Sequence, residues 1–194
     1  MPDFSVIADV SSTLETALTD ALSTLAPGPP IAEVHDLATP GATNPPRVTL
    51  FLFEVGEDAT QRNRPAVRAV VPPNLISEKP PMALRLRYLV TPWSGDMVTD
   101  HRMMGRVLQV LYDDAILHGP LLQGGLAGTS EALKINLTPL SLEERTRIWH
   151  SVQQPYRLSI VYEVRVVNLD PLEQRTQVPV QVRQLNPAVR ETVS

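Results

Sequence analysis

The side chains that could carry out chemistry are few in this chain and lie far apart along it. Its histidines are four: His35, His101, His118 and His150. None has a second histidine, aspartate or glutamate at a spacing that would place metal ligands on one face of an element. His101 follows Asp100 at a predicted helix start, where a cap and a first-turn side chain explain both residues. The sequence therefore predicts no catalytic residue and no metal site.

The motifs that bind phosphate or expose a nucleophile are also missing from the sequence. It contains no GxxxxGKS or GxxxxGKT, no GxGxxG after a strand and no GxSxG. It contains no cysteine, which excludes disulfides, zinc–thiolate sites and cysteine nucleophiles. We therefore expect no cofactor and no enzymatic activity.

The charge balance excludes a further class of function. The 194-residue chain has 17 lysine and arginine residues against 21 aspartate and glutamate residues, a net charge of −4. Proteins that bind nucleic acid usually show a basic footprint, so we expect no nucleic-acid partner. No apolar run approaches the roughly 20 residues of a membrane helix, and the first residues, MPDFSVIADV, lack the features of a secretory signal. We expect assembly in the cytoplasm and no membrane partner.

Arginines that alternate with other residues on two predicted strands are the candidates for a binding surface. Arg85 and Arg87 lie on one of these strands, and Arg157 and Arg165 lie on the other. If the strands pair, the four side chains can form a basic patch on one face of a sheet. Such a face is either solvated or covered by an acidic partner or another subunit, and the residues alone leave both interpretations open.

The elements that would position these side chains can be predicted from the spacing of apolar residues. Helices are predicted over three segments: about 3–26, from Asp100, and from Ser141, where Glu144 completes a capping box. Strands are predicted over four: 47–55, from 83, 133–137 and 156–167. Residues 66–81, with two Pro-Pro pairs, are expected to form a loop or an irregular extended segment. The predicted fold class is α+β, with a mostly antiparallel β-sheet and about three packed helices.

Five residues of these elements are predicted to lie in the core. They are Val107, Leu111, Leu158, Ile160 and Tyr162. Each one falls on the apolar side of a predicted helix or strand.

The segment after residue 169 is predicted to be a separate C-terminal tail. Asp170–Pro171 ends the long strand, so the predicted domains are residues 1–169 and a tail of residues 170–194. Three alternating valines predict a short strand in the tail: Val178, Val180 and Val182. Pro179 suits an edge strand because it lacks an N–H donor. The tail strand reaches a neighbouring subunit, folds back on its own subunit or stays disordered, and the sequence does not decide between these.

The block from Pro80 to Val167 resembles a known family through several spaced motifs that occur in one order. The motifs are PPMALRLRYLVTPW, HRMMGRVLQVLYDD, INLTPLSLEERTRIW and PYRLSIVYEVRVV. They are similar to the N-terminal domain of the cap (tail terminator) proteins of antifeeding-prophage-type contractile injection systems. The helix motif falls on Arg102, Gly105, Arg106, Gln109 and Asp113, and Arg102 and Arg106 are further candidate interface residues. The strand motif falls on Arg157, Tyr162 and Arg165.

This resemblance implies both a fold and a function. It implies a phage tail-terminator-like subunit that forms a ring, expected to be a homohexamer, on the baseplate-distal end of the inner tube and contractile sheath. Such a ring ends tube growth and holds the last sheath layer. The implied partners are further copies of the chain and the sheath and inner tube proteins, and no catalytic residue, cofactor or metal is implied. The particle would be phage-tail-like, with its release from the cell left open.

Two alternatives to this function remain open. One is a terminator or completion protein of a true contractile phage tail. The other is a hydrolase with an unrecognised site, which would need a cleft with clustered titratable groups.

Overall fold

The helices and strands are given by a computed structural model that describes residues 3–25, 28–38, 44–62, 64–65, 67–71, 74–171 and 175–177. In this part of the chain the helices are α1 (Val6–Leu22), α2 (Met97–Asp113) and α3 (Leu142–Ser151). The strands are β1 (Ile31–Val34), β2 (Arg47–Glu57), β3 (Val67–Val71), β4 (Asn74–Glu78), β5 (Met82–Trp93), β6 (Ile116–His118), β7 (Ala132–Leu137), β8 (Ile160–Leu169) and β9 (Arg175–Gln177). The predicted α+β class is confirmed.

The described residues divide into two units. The larger unit comprises those between 3 and 62 and between 81 and 170, and its six-stranded sheet has the order β1-β2-β5-β8-β7-β6. Only the β1–β2 pair of this sheet is parallel, so the predicted mostly antiparallel character is correct. The smaller unit comprises those between 64 and 80 and between 171 and 177, and its antiparallel sheet has the order β3-β4-β9.

The smaller unit corrects the prediction of a loop over residues 66–81. Within this range β3 and β4 pair as an antiparallel hairpin, with Val71 opposite Asn74. Strand β9 then pairs with β4. The Pro-Pro pairs therefore flank strands instead of excluding them. The functional division into residues 1–169 and 170–194 stays a prediction.

The three helices form where local sequence signals place them. One apolar stripe of α1 is buried along its whole length: Val6, Val10, Leu14, Leu18 and Leu22. Helix α3 has the predicted capping box, since Ser141 Oγ accepts from Glu144 N at 3.2 Å and Glu144 Oε2 accepts from Ser141 N at 2.8 Å. Helix α2 begins three residues before its predicted start, because Asp96 and not Asp100 caps it by accepting from Thr99 N.

The large sheet is covered on both faces. One face packs against α1 and α2 through the alternating side chains of β5, which are Leu84, Leu86, Tyr88 and Val90. The opposite face packs against α3 through Leu89, Trp93, Trp149 and Val161. The Tyr88 hydroxyl lies 2.8 Å from Ser11 Oγ of α1, and its burial raises the pKa of Tyr88 to about 12. A binding surface on the sheet is therefore restricted to the parts of its two faces that the helices do not cover.

The core prediction is confirmed for three residues and wrong for one. Val107, Leu111 and Tyr162 are at most 4% exposed, whereas Ile160 is only partly buried. Leu158 is 41% exposed because β8 begins at Ile160, two residues later, so the predicted strand pattern does not apply to it.

A β-bulge also interrupts the predicted alternation of β8. Opposite β5, Leu86 pairs with Val164 but Leu84 pairs with Val167, so β8 carries an extra residue between them. Val164 and Val167 are consequently buried in the same core cluster, although strict alternation places them on opposite faces.

Candidate functional site

Three of the four strand arginines meet on the sheet face that also packs against α3. Arg85 and Arg87 project from β5, and Arg165 projects from β8. Their acidic partners come from the strands on either side of β5. Glu54 of β2 and Glu163 of β8 both lie opposite Arg87 in the strand register.

Glu163 is the centre of this arginine–glutamate cluster. Its side chain is 4% exposed and accepts hydrogen bonds from Arg87 Nε at 3.0 Å and from Arg165 Nε. Arg85 Nε lies 3.7 Å from the same carboxylate. Burial acts to raise the pKa of Glu163, but the hydrogen bonds from Arg165 and Arg87 outweigh it, so the pKa lies below its usual value. The carboxylate is therefore held in its charged form.

Glu54 completes the cluster from its more exposed side. Its two oxygens accept from Arg85 Nη2 at 3.2 Å and Arg87 Nη1 at 3.0 Å. The guanidinium of Arg87 is thus held between two carboxylates, which keeps the pKa of Arg87 above its usual value. The five side chains carry a formal charge of only +1. Most of the positive charge predicted for this surface is consequently neutralised within the fold.

Arg157 lies apart from the other three, so the predicted patch of four arginines is split. Its guanidinium stacks 4.3 Å from the ring centre of Trp93 and donates to Asp100 Oδ2 at 3.2 Å. Asp100 Oδ1 accepts from the backbone N and the Oγ of Ser94 at 2.8 and 2.7 Å. Trp93 in turn packs edge-to-face on Trp149, with ring centres 6.3 Å apart. Arg157 therefore braces the start of α2 against the end of β5.

A depression of about 290 Å³ adjoins this brace. Its lining is Pro92, Met97, Asp100, His101, Tyr156, Arg157 and Leu158. The carboxylate of Asp100 already accepts three hydrogen bonds, and no serine, threonine or lysine is among the described residues that line the depression. Asp100 is an anchor for the fold and not a free base.

The two arginines that the resemblance places on α2 have different environments. Arg106 Nε donates to the carbonyl of Ala21 at 3.1 Å and Arg106 Nη1 donates to Gln109 Oε1 at 3.0 Å, which ties α2 to the end of α1. Arg102 is exposed, and it forms no hydrogen bond or ion pair with another described residue. Its charge contributes to lowering the pKa of Asp96, after the larger effect of hydrogen bonds from Thr99. Arg102 is therefore unpaired among the described residues, whereas Arg106 is already bonded within the subunit, and the interface role of both stays a prediction.

An apolar groove between α2 and β7 was not foreseen from the sequence. It has a volume of about 560 Å³, and its lining includes Leu108, Tyr112, Ile135, Leu137 and Tyr162. Tyr112 is 83% exposed and Leu137 is 54% exposed. The sequence feature that could have indicated this groove is Tyr112, which continues the apolar side of α2 to the end of the helix.

The remaining predictions concern metals, membranes and the tail. Among the described residues no group of three or more histidine and acidic side chains is arranged to hold a metal ion. None of the described helices has the length and apolar character to cross a membrane. Val178, Val180 and Val182 lie outside the described residues, so the tail strand stays a prediction.

The fold belongs to the class of tail-terminator-like α+β proteins. The chain matches, over 97% of its length, a cryo-EM structure described as the PVC sheath/tube terminator of an extracellular contractile injection system in its extended state, with a TM-score of 0.62 and 22% identity. It matches the anti-feeding prophage cap, described as the tube-terminating cap, over 94% of its length with a TM-score of 0.55 and 19% identity. The chain spans 64% and 60% of the lengths of these two proteins.

The family is shown by the sequence itself. Residues 9–183 match the model of the Pvc16 N-terminal domain, and the chain belongs to that family. No curated protein matches the chain. The resemblance inferred from the motifs between Pro80 and Val167 is thereby confirmed.

Proposed function

We propose that the chain is a structural cap, or tail terminator, of a contractile injection system. The observation that carries the proposal is the family match over residues 9–183. The two similar structures add support, since one is described as a sheath/tube terminator and the other as a tube-terminating cap. Both descriptions favour an injection system over the alternative of a true phage tail.

The cap acts as a ring on the baseplate-distal end of the particle, where it ends tube growth and holds the last sheath layer. We propose a homohexamer, because a cap has to match the symmetry of the tube and sheath that it closes. Its partners are further copies of the chain and the inner tube and sheath proteins. An obligate assembly of this kind buries about 2,000 Å² or more at each interface. The exposed apolar side chains around α2 provide surface for such contacts.

The arginine–glutamate cluster suits a rigid contact surface better than an enzyme site. Arg165 is its most exposed arginine, with 42% of the side chain accessible, and the cluster retains one positive charge. We propose that Arg165 is the residue through which this face meets an acidic group of a partner. Arg85 and Arg87 hold the face in shape through Glu54 and Glu163.

No catalytic role forms part of the proposal. The hydrolase alternative requires clustered titratable groups in a cleft; the depression beside Arg157 holds Asp100, His101 and Tyr156, but the Asp100 carboxylate is already bonded to Arg157 and Ser94. We propose that the chain assembles onto the particle in the cytoplasm. Release of the finished particle would then carry the cap out of the cell.

Electron microscopy of reconstituted particles tests the proposed function. Tube and sheath subunits of the same particle are assembled with and without the chain, and the ends and lengths are recorded by negative stain. With the chain present, we expect a ring at one end and a narrow length distribution. Equal lengths and bare ends in both samples would contradict the proposal. Leu111→Ala, which changes a buried core residue, lowers stability without altering the surface and serves as a control for nonspecific damage.

A further inference from the structure

The second half of strand β2 has a neighbouring strand on one side only. Strand β1 pairs with β2 from Arg47 to Leu50 and ends at Val34, whereas β5 continues alongside β2 as far as Glu57. Among the described residues no strand pairs with β2 beyond Leu50 on the side of β1. Residues 51–57 therefore form an unpaired sheet edge about 20 Å long, which we call the β2 edge.

Two hydrogen bonds show which backbone groups of the β2 edge point away from β5. The carbonyl of Leu50 accepts at 3.1 Å from the N–H that follows β1, so Leu50 points away from β5 and so does Leu52, two residues later. Asp58 N donates to a carbonyl of β5 at 2.8 Å, so Asp58 points inward and both Val55 and Glu57 point outward. The β-bulge in β2 explains the change from even to odd positions. No hydrogen bond joins the outward groups of Leu52, Val55 and Glu57 to another described residue, so they can pair with an added strand.

The two outermost strands of the same sheet offer less unpaired backbone. On β1, the hydroxyl of Thr19 accepts from Ala32 N at 3.0 Å and donates to Ala32 O at 3.5 Å, so helix α1 takes the place of a neighbouring strand. Strand β6 is only three residues long, from Ile116 to His118, and very short edge strands pair poorly with other chains. The β2 edge is longer, and no hydrogen bond from a described helix closes it. It is therefore the part of the sheet that best suits strand addition.

The side chains at the β2 edge are apolar on one face. Leu52 lies opposite Tyr88 and Val55 lies opposite Leu86, and both residues of β5 belong to the core cluster under α1 and α2. Leu52 and Val55 consequently face the same side of the sheet, and Val55 is 49% exposed. In an antiparallel pair the residues that exchange hydrogen bonds lie directly opposite each other and share a face. A strand added here therefore needs apolar side chains at the residues that bond to the edge, and it needs no donor at the residues between them.

The predicted strand of the C-terminal tail, which lies outside the described residues, has this pattern in its sequence. Val178, Val180 and Val182 alternate, so in a strand their side chains point to one face and their N–H groups to one side. Pro179 lies between two of them and lacks an N–H, which suits a residue that points to solvent. A tail strand that pairs through its valines thus loses no hydrogen bond at Pro179.

From this match, and resting on the proposed cap function, we propose that the tail strand of one copy adds antiparallel to the β2 edge of the next copy. The valines of the tail bond to the outward groups of Leu52, Val55 and Glu57, and their side chains cover Leu52 and Val55. Main-chain hydrogen bonds provide the affinity, and the apolar face sets the register in steps of two residues. Donor and acceptor are different parts of the chain, so the contact is heterologous, and its repetition closes a ring when its rotation is a simple fraction of a turn.

The absence of cysteine from the chain makes this contact directly testable. Val55→Cys is combined in turn with Val178→Cys, Val180→Cys and Val182→Cys, and each double variant is treated with a short bis-maleimide linker. The Cβ atoms of opposite residues in a sheet are about 5 Å apart, which is within reach of such a linker. We expect at least one of the three variants to give a ladder of dimers, trimers and larger species on a denaturing gel.

Two matched pairs show whether the contact is specific. In the first, Val34→Cys replaces Val55→Cys, since Val34 is 48% exposed but lies on β1, outside the β2 edge. In the second, Gln181→Cys replaces the valine variants, since residue 181 alternates with the valines and faces the other side of the strand. The ladder from both control pairs should be at least about fivefold weaker.

Proline substitutions test the hydrogen bonds separately from the side chains. They are added to the variant that carries Val55→Cys and Val178→Cys. Val180→Pro removes an N–H that bonds to the β2 edge and should lower the ladder yield about fivefold, the effect of one net hydrogen bond. Gln181→Pro removes an N–H that points to solvent and should leave the yield unchanged. Equal yields from the two proline variants would contradict the proposed pairing.

The cross-linking is done at high protein concentration and again with tube and sheath subunits present. An internally linked monomer would overturn the proposal, since it assigns the tail to its own subunit. A ladder no stronger than those of the control pairs, or a cross-link from Val55→Cys to a tube or sheath subunit instead of a second copy, would also overturn it. If particles are capped without the ladder, the cap function stands and this contact is wrong. If the ladder forms and tube ends stay bare, the contact stands and the cap function is wrong.

Discussion

Neutralising Glu163 is the most direct test of the charged cluster. Glu163→Gln keeps the volume and one oxygen of the side chain but removes its charge. The wild-type carboxylate accepts from Arg87 Nε at 3.0 Å and from Arg165 Nε, with Arg85 Nε at 3.7 Å. After the change, these guanidinium groups lose the one carboxylate of the cluster that is nearly inaccessible to water, with 4% of its side chain exposed.

The loss of stability in Glu163→Gln depends on how many of the arginines keep another partner or contact water. Removing one partner of a fully buried ion pair costs about 3–5 kcal/mol. Here Arg87 keeps its bond to Glu54, and Arg165 is 42% exposed, so water replaces part of what is lost. We therefore expect Glu163→Gln to lower the free energy of unfolding by about 2 kcal/mol. Glu54→Gln is the matched control, and because Glu54 is 38% exposed it should lose only about 0.5–1 kcal/mol.

Urea unfolding as a function of pH provides the assay. Because the folded-state pKa of Glu163 is lowered, its stabilising contribution is complete above the unfolded-state pKa, about 4.3, and is lost as pH falls through the folded-state pKa. The difference between wild type and Glu163→Gln should thus be constant from about pH 7 to pH 5 and shrink below about pH 4. A difference under about 0.5 kcal/mol at pH 7, or one unchanged in acid, would refute this account of the cluster.

Four further substitutions test the fold. Leu111 is 3% exposed, so Leu111→Ala should lower the free energy of unfolding in urea by about 2–5 kcal/mol. Leu158 is 41% exposed, so Leu158→Ala should lower it by under about 1 kcal/mol. Equal losses in the two variants would contradict the assigned burial. Ser141→Ala removes the capping box of α3 and should cost about 1 kcal/mol, and unchanged stability would mean that this cap is not needed. Arg157→Lys keeps the charge but removes the planar guanidinium that stacks on Trp93. We therefore expect altered tryptophan fluorescence and a free energy of unfolding lower by about 0.5–1 kcal/mol. An identical fluorescence spectrum would argue against the stack.

The features that sequence reasoning located well depend on local signals. The stripe of α1, the capping box at Ser141 and the alternation from Leu84 to Val90 in β5 each arise within one element. The buried face of an amphipathic helix or strand can be predicted from the spacing of its apolar residues, because side chains return to the same face every 3.6 residues in a helix and every 2 residues in a strand. These signals were enough to predict the α+β class, and the motifs between Pro80 and Val167 were enough to identify the family.

The features that it missed depend on partners distant in the chain. The bulge between Val164 and Val167 is defined by the pairing of β8 with β5, so the spacing of apolar residues within β8 does not predict it. The position of Arg157 depends on Trp93 and Asp100, which come more than 50 residues earlier. The arginines at 85, 87 and 165 were placed together correctly, but their neutralisation also needed Glu54 from β2, a strand whose register had not been predicted.

The role of the C-terminal tail can be tested with two deletions that start at different residues. Strand β9 at Arg175–Gln177 pairs with β4 of its own chain, so a deletion that starts at residue 173 removes a strand of the small sheet. The hairpin of β3 and β4 left behind would be marginal on its own. A deletion of residues 178–194 instead removes Val178, Val180 and Val182 and keeps every described strand. If the tail strand serves a neighbour, this shorter deletion should leave the melting temperature unchanged and abolish the ring or sheath capture seen by negative stain. A lower melting temperature would assign the tail to its own subunit, and normal capping at full stability would show it to be dispensable.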